Sequence, residues 1–454
     1  MIQKTGQSYW HWHNAHQDKK FTVGMPLYRL AFLVITILAS SMARCDFMLD
    51  IIGGSDNATP IAVVPFGGPS LDDNPGNIIN NDLHNSGEFN TIDRSAFPAQ
   101  PSSSAGVFFH DWQHVGSDYL VVGNTTLNST LGLYATHYEL LSISGQQRIM
   151  GETLTYSANQ WRDAAHQIAD HIYQKITGIR GAFATRILYI DKTWNAVHGM
   201  HYRLMVADSD GHHAQAIVDS AQPLMSPSWS PDAQKVAYVS FESGHSVIYV
   251  QDIYDRKRWK IADFPGINSA PSWSPNGKSL AVTLSRSGNA EIYLINLVDM
   301  SQTQLTDDPS INTEACWYPD GKKLAFTSDR SGHPQIYQLD IATHQVMRLT
   351  YDGNYNARCA ISPDGKKLAV VHREHGQIFQ IAVQDLASGS MAVITQSELV
   401  DSPSFAPNGT MLVYSTRSNN QDMLALVSPD GNIKVLLPEQ GGEMSEPSWS
   451  PFLH

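Results

Sequence analysis

The 454-residue chain has few cysteines, a deficit of basic residues and no long hydrophobic segment. Lysine and arginine number 30 against 43 aspartates and glutamates, so the formal net charge is −13. An acidic chain of this kind lacks the basic stripe that neutralises phosphates, which argues against nucleic-acid binding. The apolar run at residues 30–38 is too short to form a stable membrane-spanning helix.

Motifs of several enzyme classes are also absent. The segment Gly244–Ile248 lacks the final glycine of a G-x-S-x-G motif, and the chain contains no Gly-rich phosphate loop and no Cys/His zinc spacing. His372 and His375 flank a predicted hairpin turn, which argues against a shared metal ion. The sequence therefore predicts no catalytic residue, no bound metal and no cofactor.

The three cysteines are Cys45, near the N-terminus, and Cys316 and Cys359, in the second half of the chain. A disulfide between the last two would require Cα atoms within about 7 Å of each other. We expect buried free thiols instead.

Residues 1–45 have the order of a secretory signal. A positive start at Met25–Arg29 precedes the apolar run, and the small residues Ala39–Ala43 follow it. Translation starts at Met1 or Met25, and cleavage follows Ala43 or Cys45. We therefore predict an exported chain that does not span the membrane after cleavage.

A sixfold repeat organises the second half of the chain. Its first full copy is Pro227–Asp232, and the copies start at residues 227, 271, 315, 359, 403 and 447, always 44 residues apart. A constant period of this length indicates a solenoid, a propeller or an array. Each unit contains four short apolar segments separated by turn residues and no helical pattern, which predicts one blade of a β-propeller.

The last copy of the repeat lacks three of the four strands. The missing strands match segments at the start of the same domain, namely Thr185–Ile190, Tyr202–Val206 and Gln215–Val218. The C-terminal segment should therefore complete the first blade, giving six blades and a ring without a free edge. The hairpin Asp191–His201 is expected to be about five residues longer than its counterparts.

The region before the propeller alternates predicted strands and helices. Ser157 and Gln160 form a capping-box pattern at the start of the longer helix. We predict an N-terminal α/β domain followed by an all-β six-bladed β-propeller, closed by pairing of N- and C-terminal strands. The predicted domains are residues 1–45 (upstream extension and signal peptide), 46–182 and 183–454. The predicted elements of the α/β domain are strands Pro60–Phe66 and Tyr119–Gly123, the hairpin Leu131–Ile143 with Arg148–Thr155, and helices Pro75–Phe89 and Ala158–Thr177.

The repeat also predicts a packing position and a surface. The aromatic residue of each copy should pack between blades; Trp229, Trp273, Trp317, Phe405 and Trp449 occupy this position, and Ile361 fills it once. The residues just before each copy should ring one mouth of the central channel, where they are polar and differ between blades. This ring comprises Met225, Ser226, Ser269, Ala270, Thr313, Glu314, Ala357, Arg358, Asp401, Ser402, Ser445 and Glu446.

Several of these features together resemble one family. The leader, the Pro60–Phe66 strand, the Thr177–Phe183 junction and the Ser-Pro-x-Trp-Ser-Pro-Asp-Gly repeats resemble the TolB family, the periplasmic component of the Tol–Pal system of Gram-negative bacteria. The resemblance covers residues from about 25 to 454. It implies a periplasmic binding protein that supports outer-membrane invagination in cell division and envelope integrity.

The resemblance also implies two protein partners. The peptidoglycan-associated lipoprotein Pal would bind the ring at the mouth together with Ile267, Asn268 and Asn312. Relatives often have a histidine near Ile267, so that contact would here be apolar, or the partner would differ there. The inner-membrane protein TolA would bind the mature N-terminal segment. The sequence leaves open whether other envelope proteins also bind. The TolA segment comprises Asp46, Phe47, Met48, Leu49, Asp50, Ile51 and Ile52.

A periplasmic propeller enzyme, such as a lyase or a hydrolase acting at the channel mouth, is the alternative. The ring contains no histidine, and its acidic residues are Glu314, Asp401 and Glu446. This composition favours the scaffold over catalysis, and it leaves open a cation held in the channel by the three carboxylates.

Overall fold

The computed structural model describes residues 58–453, except residues 70–71, 198, 377, 397–398 and 439–440. The predicted signal sequence and the predicted TolA segment lie outside the described residues. The described chain forms an α/β domain followed by a six-bladed β-propeller, which confirms the predicted fold class. Within the described ranges, no helix has both the length and the hydropathy needed to cross a membrane.

The α/β domain is built on a five-stranded sheet of order β2-β1-β3-β4-β5. Strand β1 runs parallel to β2 and β3, whereas β3, β4 and β5 are successively antiparallel. The strands are β1 (Thr59–Val63), β2 (Phe89–Thr91), β3 (Tyr119–Asn128), β4 (Leu133–Ser142) and β5 (Gln147–Ser157), and the helices are α1 (Pro75–Asn85), α2 (Phe109–His114) and α3 (Trp161–Thr177).

Local sequence signals set the ends of the two longer helices. The Asn74 side chain accepts a hydrogen bond from the Gly76 amide at the start of α1. Helix α1 ends at Asn85, earlier than the predicted Phe89, because Gly87 adopts a φ of 71° and Phe89 begins β2. The predicted capping box of Ser157 and Gln160 is present before α3. Helix α2 and strand β2 were not predicted.

The propeller consists of six four-stranded antiparallel sheets. Blade 1 contains β29 (Glu443–Trp449), β6 (Arg186–Asn195), β7 (Gly199–Asp208) and β8 (Gln215–Ser220). Blade 2 contains β9 (Leu224–Trp229), β10 (Lys235–Ser240), β11 (Val247–Asp252) and β12 (Arg258–Ala262). Blade 3 contains β13 (Asn268–Trp273), β14 (Ser279–Leu284), β15 (Glu291–Asn296) and β16 (Gln302–Gln304).

The remaining blades repeat this order. Blade 4 contains β17 (Asn312–Trp317), β18 (Lys323–Ser328), β19 (Gln335–Asp340) and β20 (Val346–Arg348). Blade 5 contains β21 (Tyr355–Ile361), β22 (Lys367–Arg373), β23 (Gln380–Asp385) and β24 (Met391–Val393). Blade 6 contains β25 (Val400–Phe405), β26 (Leu412–Ser418), β27 (Gln421–Val427) and β28 (Lys434–Leu436). The strands that begin blades 2 to 6 contact one another and β29 in a closed circle, so they line the central channel.

The C-terminal strand closes the ring as predicted. Strand β29 pairs with β6, and Trp449 lies opposite Ile187. The hairpin formed by β6 and β7 is longer than its counterparts, since both strands have 10 residues whereas β10 and β11 have 6. The pairing covers the edge of β6, which would otherwise be the unpaired inner edge of blade 1.

The repeated aromatic residues pack between blades, as predicted. Trp229, Trp273, Phe405 and Trp449 are each at least 91% buried. The indole Nε1 of Trp229 donates to the Ser448 carbonyl of blade 1 over 3.1 Å, and that of Trp317 donates to the Ser272 carbonyl of blade 3 over 3.0 Å. These two contacts connect β9 to β29 and β17 to β13.

A disulfide joins Cys316 on β17 to Cys359 on β21, with Cα atoms 6.0 Å apart. The prediction of buried free thiols is therefore wrong. The innermost strands of blades 4 and 5 run side by side, and the two cysteines are separated by 43 residues, one less than the repeat. Because the separation is one residue shorter than the repeat, the two side chains face each other between β17 and β21.

Candidate functional site

Every innermost strand carries a β-bulge at the same position of the repeat. In blade 3, for example, Ser269 pairs with Thr283 and Ser272 pairs with Ala281, so the innermost strand has one extra residue. A bulge of this kind redirects a side chain and bends its strand. The six bulge residues have φ angles between 49° and 54°; they are Ser226, Ala270, Glu314, Arg358, Ser402 and Glu446.

Arg358, on blade 5, is the basic residue among the predicted mouth residues, and its side chain contacts both neighbouring blades, 4 and 6. Its Nε lies 3.1 Å from Asp401 Oδ1 and 3.4 Å from Glu314 Oε1, and its Nη1 donates to Ser402 Oγ over 2.6 Å. Burial opposes the charge, but the carboxylates of Asp401 and Glu314 raise the pKa of Arg358. The guanidinium therefore remains charged and couples blades 4, 5 and 6.

The channel is nevertheless acidic, because Arg358 faces three carboxylates. Glu446 Oε2 accepts a hydrogen bond from the Ser226 amide over 2.5 Å. Burial raises the pKa of Glu446 and of Asp401, while Arg358 partly offsets that effect at both residues. Across the described residues, Glu314, Asp401 and Glu446 do not bring three ligand atoms close enough to hold one ion, and Arg358 lies between the first two.

Asn268 and Asn312 are structural residues inside the blades and do not face the mouth. Both are fully buried. Asn268 Nδ2 donates to the Phe264 carbonyl over 2.7 Å, and Asn312 Nδ2 donates to Glu291 Oε2 over 2.8 Å. Asn356 occupies the same position in blade 5, where its Oδ1 lies 2.9 Å from His372 Nδ1. In blades 3, 4 and 5, the three asparagines therefore hold the start of the innermost strand to neighbouring segments of the chain.

The other predicted mouth residues differ in exposure. Ala357 is buried like the two asparagines, whereas Met225 and Ile267 are exposed. Half-buried side chains, which a partner could still reach, are those of Ser226, Ser269, Ala270, Thr313, Glu314, Arg358, Asp401, Ser402, Ser445 and Glu446.

Exposed apolar residues from four of the six blades lie at the mouth of the acidic channel. Met225, Ile267, Ile311 and Leu399 have exposed fractions of 38%, 49%, 51% and 46%. Ile311 and Leu399 were missing from the predicted site, although they share the repeat position of Ile267. We call these four residues the mouth rim. The tip of the long β6–β7 hairpin, with the exposed Trp194, lies at the same end of the strands.

A cavity of about 400 Å³ opens beside the rim and is lined by residues of blades 1, 5 and 6. Thr416 lines it and is 95% buried, yet its Oγ1 has no hydrogen-bond partner among the described residues. In blade 5 the equivalent residue, His372, is bonded to Asn356, but in blade 6 Val400 replaces that asparagine. The hydroxyl of Thr416 is therefore buried behind the cavity wall without a partner among the described residues, and Leu399 and Phe379 form apolar parts of that wall.

A second cluster of charged residues lies where the α/β domain meets blade 1. His166 Nδ1 lies 2.7 Å from Asp82 Oδ2, and Arg162 contacts Asp208 over 2.9 Å and Asp210 over 2.6 Å. Burial disfavours protonation of His166, but the surrounding carboxylates raise its pKa to about 10. Asp82, His166 and Asp210 are close enough to ligate an ion, but Arg162 and protonated His166 already supply the positive charge. The cluster is best described as an interdomain ion-pair network.

Comparison with known proteins gives matches over both domains. Residues 173–453 match the family model described as TolB beta propeller domain, and residues 47–149 match the TolB amino-terminal domain. The Tol-Pal system protein TolB of Pseudomonas aeruginosa is 50% identical over 432 residues, 94% of this chain and 99% of that protein. The protein of the same name from Pseudomonas putida is 54% identical over 408 residues, 89% of this chain and 94% of that protein.

A solved structure agrees with these sequence matches. The crystal structure of TolB from Acinetobacter baumannii has a TM-score of 0.81 and 40% sequence identity, and the match covers 89% of this chain and 99% of that chain. The family models and the curated relatives thus agree on both domains. The chain belongs to the TolB family of Tol–Pal system proteins.

Proposed function

We propose that this protein is a periplasmic interaction scaffold that binds Pal at the mouth of the propeller and TolA through residues 46–52. In this role it supports outer-membrane invagination during cell division and the integrity of the envelope. The proposal requires neither a catalytic residue nor a cofactor.

The observation that carries the Pal proposal is the mouth rim at the opening of an acidic channel. Exposed apolar residues gathered at one surface are typical of protein-binding sites. Met225, Ile267, Ile311 and Leu399 would supply the apolar contact, and the Arg358 cluster would supply charge complementarity. The mouth cavity, lined partly by Leu399 and Phe379, would accept one apolar side chain of the partner. A buried anchor within an apolar surface is the usual arrangement of an interface hot spot.

The disulfide supports a periplasmic location. Disulfides persist in oxidising compartments such as the bacterial periplasm and are rare in reduced cytosol. The Cys316–Cys359 bond is therefore consistent with the export signal predicted at residues 25–43.

The mouth is a poor candidate for an enzyme active site. Glu314 and Asp401 both form ion pairs with Arg358, so neither carboxylate is free to accept a proton from a substrate as a catalytic base would. His372, the histidine bonded to Asn356, is buried, and its burial lowers its pKa. Neither feature provides a nucleophile paired with an accessible base, so the scaffold is preferred to a lyase or hydrolase.

Arginine substitutions at the mouth test the Pal proposal. Ala270→Arg and Thr313→Arg would place long cations beside the rim and should abolish retention of purified Pal from the same organism. Arg358 already adopts the bulge conformation with a φ of 53°, so an arginine at position 270 is compatible with the backbone.

The matched control is Val298→Arg, a substitution on the opposite face of the propeller, where the side chain is 81% exposed. This variant should bind Pal like the unmodified protein, and all three variants should unfold at similar temperatures. Normal Pal binding by the two mouth variants would refute the proposed surface.

Deletion of residues 46–54 tests the TolA proposal. The deletion should remove binding of purified TolA and leave Pal binding unchanged. Loss of both partners, or of neither, would contradict the assignment of this segment.

A further inference from the structure

The β6–β7 hairpin extends beyond the inner strand of its own blade at the mouth. Strand β29 begins at Glu443, which pairs with Lys192, whereas β6 continues to Asn195. At about 3.3 Å per residue, the hairpin therefore reaches roughly 10 Å past the start of β29. In blade 2, by contrast, β10 ends at Ser240, opposite the first residue of β9.

Strand alternation turns one face of this extension towards blade 2. Ile190 lies in the apolar cluster that includes Leu224 of blade 2. Because side chains alternate along a strand, Trp194 lies on the same face of β6 as Ile190. Met200 is directly opposite Trp194 in the register, so the two side chains share this face. Met225 of the mouth rim follows Leu224 in the chain, and the face with Trp194 therefore adjoins the rim.

The tip of the hairpin is apolar and exposed. Trp194 is 70% exposed and Val197 is 82% exposed, whereas Met225 in the rim is 38% exposed. Exposed apolar residues gathered at one end of a protein are typical of an interaction surface. Tryptophan is also among the residue types that contribute most to binding when a partner covers them.

Ion pairs hold the base of the hairpin in place. Lys192 Nζ lies 2.8 Å from Glu443 Oε2, and Arg203 Nη2 lies 2.6 Å from Asp191 Oδ2. The two strands pair with each other along their full length. A hairpin fixed in this way loses little conformational freedom when a partner covers its tip, so more of the contact energy appears as affinity.

We propose that the hairpin tip is a second contact for the protein bound at the mouth, with Trp194 packed against an apolar patch on the flank of that protein. This contact rests on the proposed function, since Pal is the partner that occupies the mouth. A partner seated over blade 2 covers Met225 and Trp194 together, and the mouth residues alone supply only part of the affinity.

Surface plasmon resonance with purified Pal and the mature chain tests the contact. Trp194→Ala should raise the Kd about tenfold or more, mainly through faster dissociation. Trp194→Phe keeps an aromatic ring and should restore most of the affinity. The matched control is Tyr254→Ala, which removes an aromatic side chain that is 77% exposed at the opposite end of blade 2. It should leave the Kd unchanged, and all three variants should melt like the unmodified chain.

Fluorine NMR of the chain labelled with 5-fluorotryptophan measures the contact directly. The Trp194 resonance is assigned by its loss in Trp194→Phe, and saturating Pal should shift it. The resonance of Trp112, which is buried in the α/β domain, should not move. An unshifted Trp194 resonance would overturn the proposal.

The binding results separate the hairpin contact from the mouth itself. Normal Pal affinity in Trp194→Ala, together with loss of binding in Thr313→Arg, would refute the hairpin contact and leave the mouth proposal standing. Absence of Pal binding by the unmodified chain would refute both. The hairpin contact would also be overturned if the chain bound vesicles of phosphatidylethanolamine and phosphatidylglycerol, and Trp194→Ala abolished that binding without changing the affinity for Pal, because a lipid surface would then cover the tip.

Discussion

Removal of the Cys316–Cys359 disulfide should lower the free energy of unfolding substantially. The bond closes a loop between residues separated by 43 positions. In the chain-entropy description of cross-links, a loop of this length removes roughly 13 cal/mol/K from the unfolded state, or about 4 kcal/mol at 25 °C. The double variant Cys316→Ser/Cys359→Ser should lose stability of this order.

Urea unfolding of the mature chain, followed by far-UV circular dichroism and tryptophan fluorescence, measures the effect. The midpoint should fall, and the slope of free energy against urea should rise, because the unfolded chain without the cross-link exposes more surface. Agreement between the two signals is needed before a single free energy is assigned.

Reduction of the unmodified protein provides a matched comparison. Dithiothreitol breaks the same bond and keeps both sulfur atoms, so the reduced protein and the double variant should unfold at similar midpoints. The reductant should not affect the double variant. Equal midpoints for the oxidised and reduced unmodified protein would refute the reasoning, because the cross-link would then contribute nothing.

Three further predictions concern the ion pairs and the ring. His166→Gln should lower the free energy of unfolding by about 3–5 kcal/mol near pH 6, because Asp82 loses its buried cation. In the unmodified protein, the stabilisation by His166 is complete below the unfolded-state pKa of 6.5 and is lost as the pH rises through the folded-state pKa of about 10. Urea midpoints measured across that pH range test this dependence. Truncation after Glu446 removes Trp449 and its pairing with β6, so the melting temperature should fall sharply, and an unchanged melting curve would contradict closure by the C-terminus. Arg358→Gln should cost about 2 kcal/mol at neutral pH and less near pH 5, because burial raises the pKa of Asp401 and of Glu446, so acid protonates these two carboxylates once their cation is gone. Equal losses at both pH values would argue against this explanation.

The fold could be predicted because its signals are local and repeated. Turn residues and short apolar strands recur every 44 residues, and the incomplete last copy identifies its missing strands at the start of the domain. Helix α2 escaped prediction because Phe109–His114 is too short for a periodic pattern to develop. Strand β2 has only three residues and depends on pairing with β1 for its definition.

The location of the mouth could be predicted from the repeat, but the orientation and the contacts of its side chains could not. Position gives the blade and the level in the channel, yet it does not give the direction of a side chain, so the buried amides of Asn268 and Asn312 were assigned to the surface. The bulge conformation was also hidden, because residues such as Glu314 and Arg358 are not types that favour a positive φ. The disulfide was missed because the two cysteines do not share the same repeat position.

Closure by β29 has a consequence for how the protein reaches its native state. Trp449 and its partner Thr185 are 264 positions apart, so the first blade cannot be completed until nearly the whole chain is available. During synthesis, β6 would emerge early and its edge would stay unpaired while the other blades assemble. Such long-range pairing slows folding and leaves a strand edge open to aggregation. Premature termination near the C-terminus would therefore harm the entire ring, including residues synthesised first.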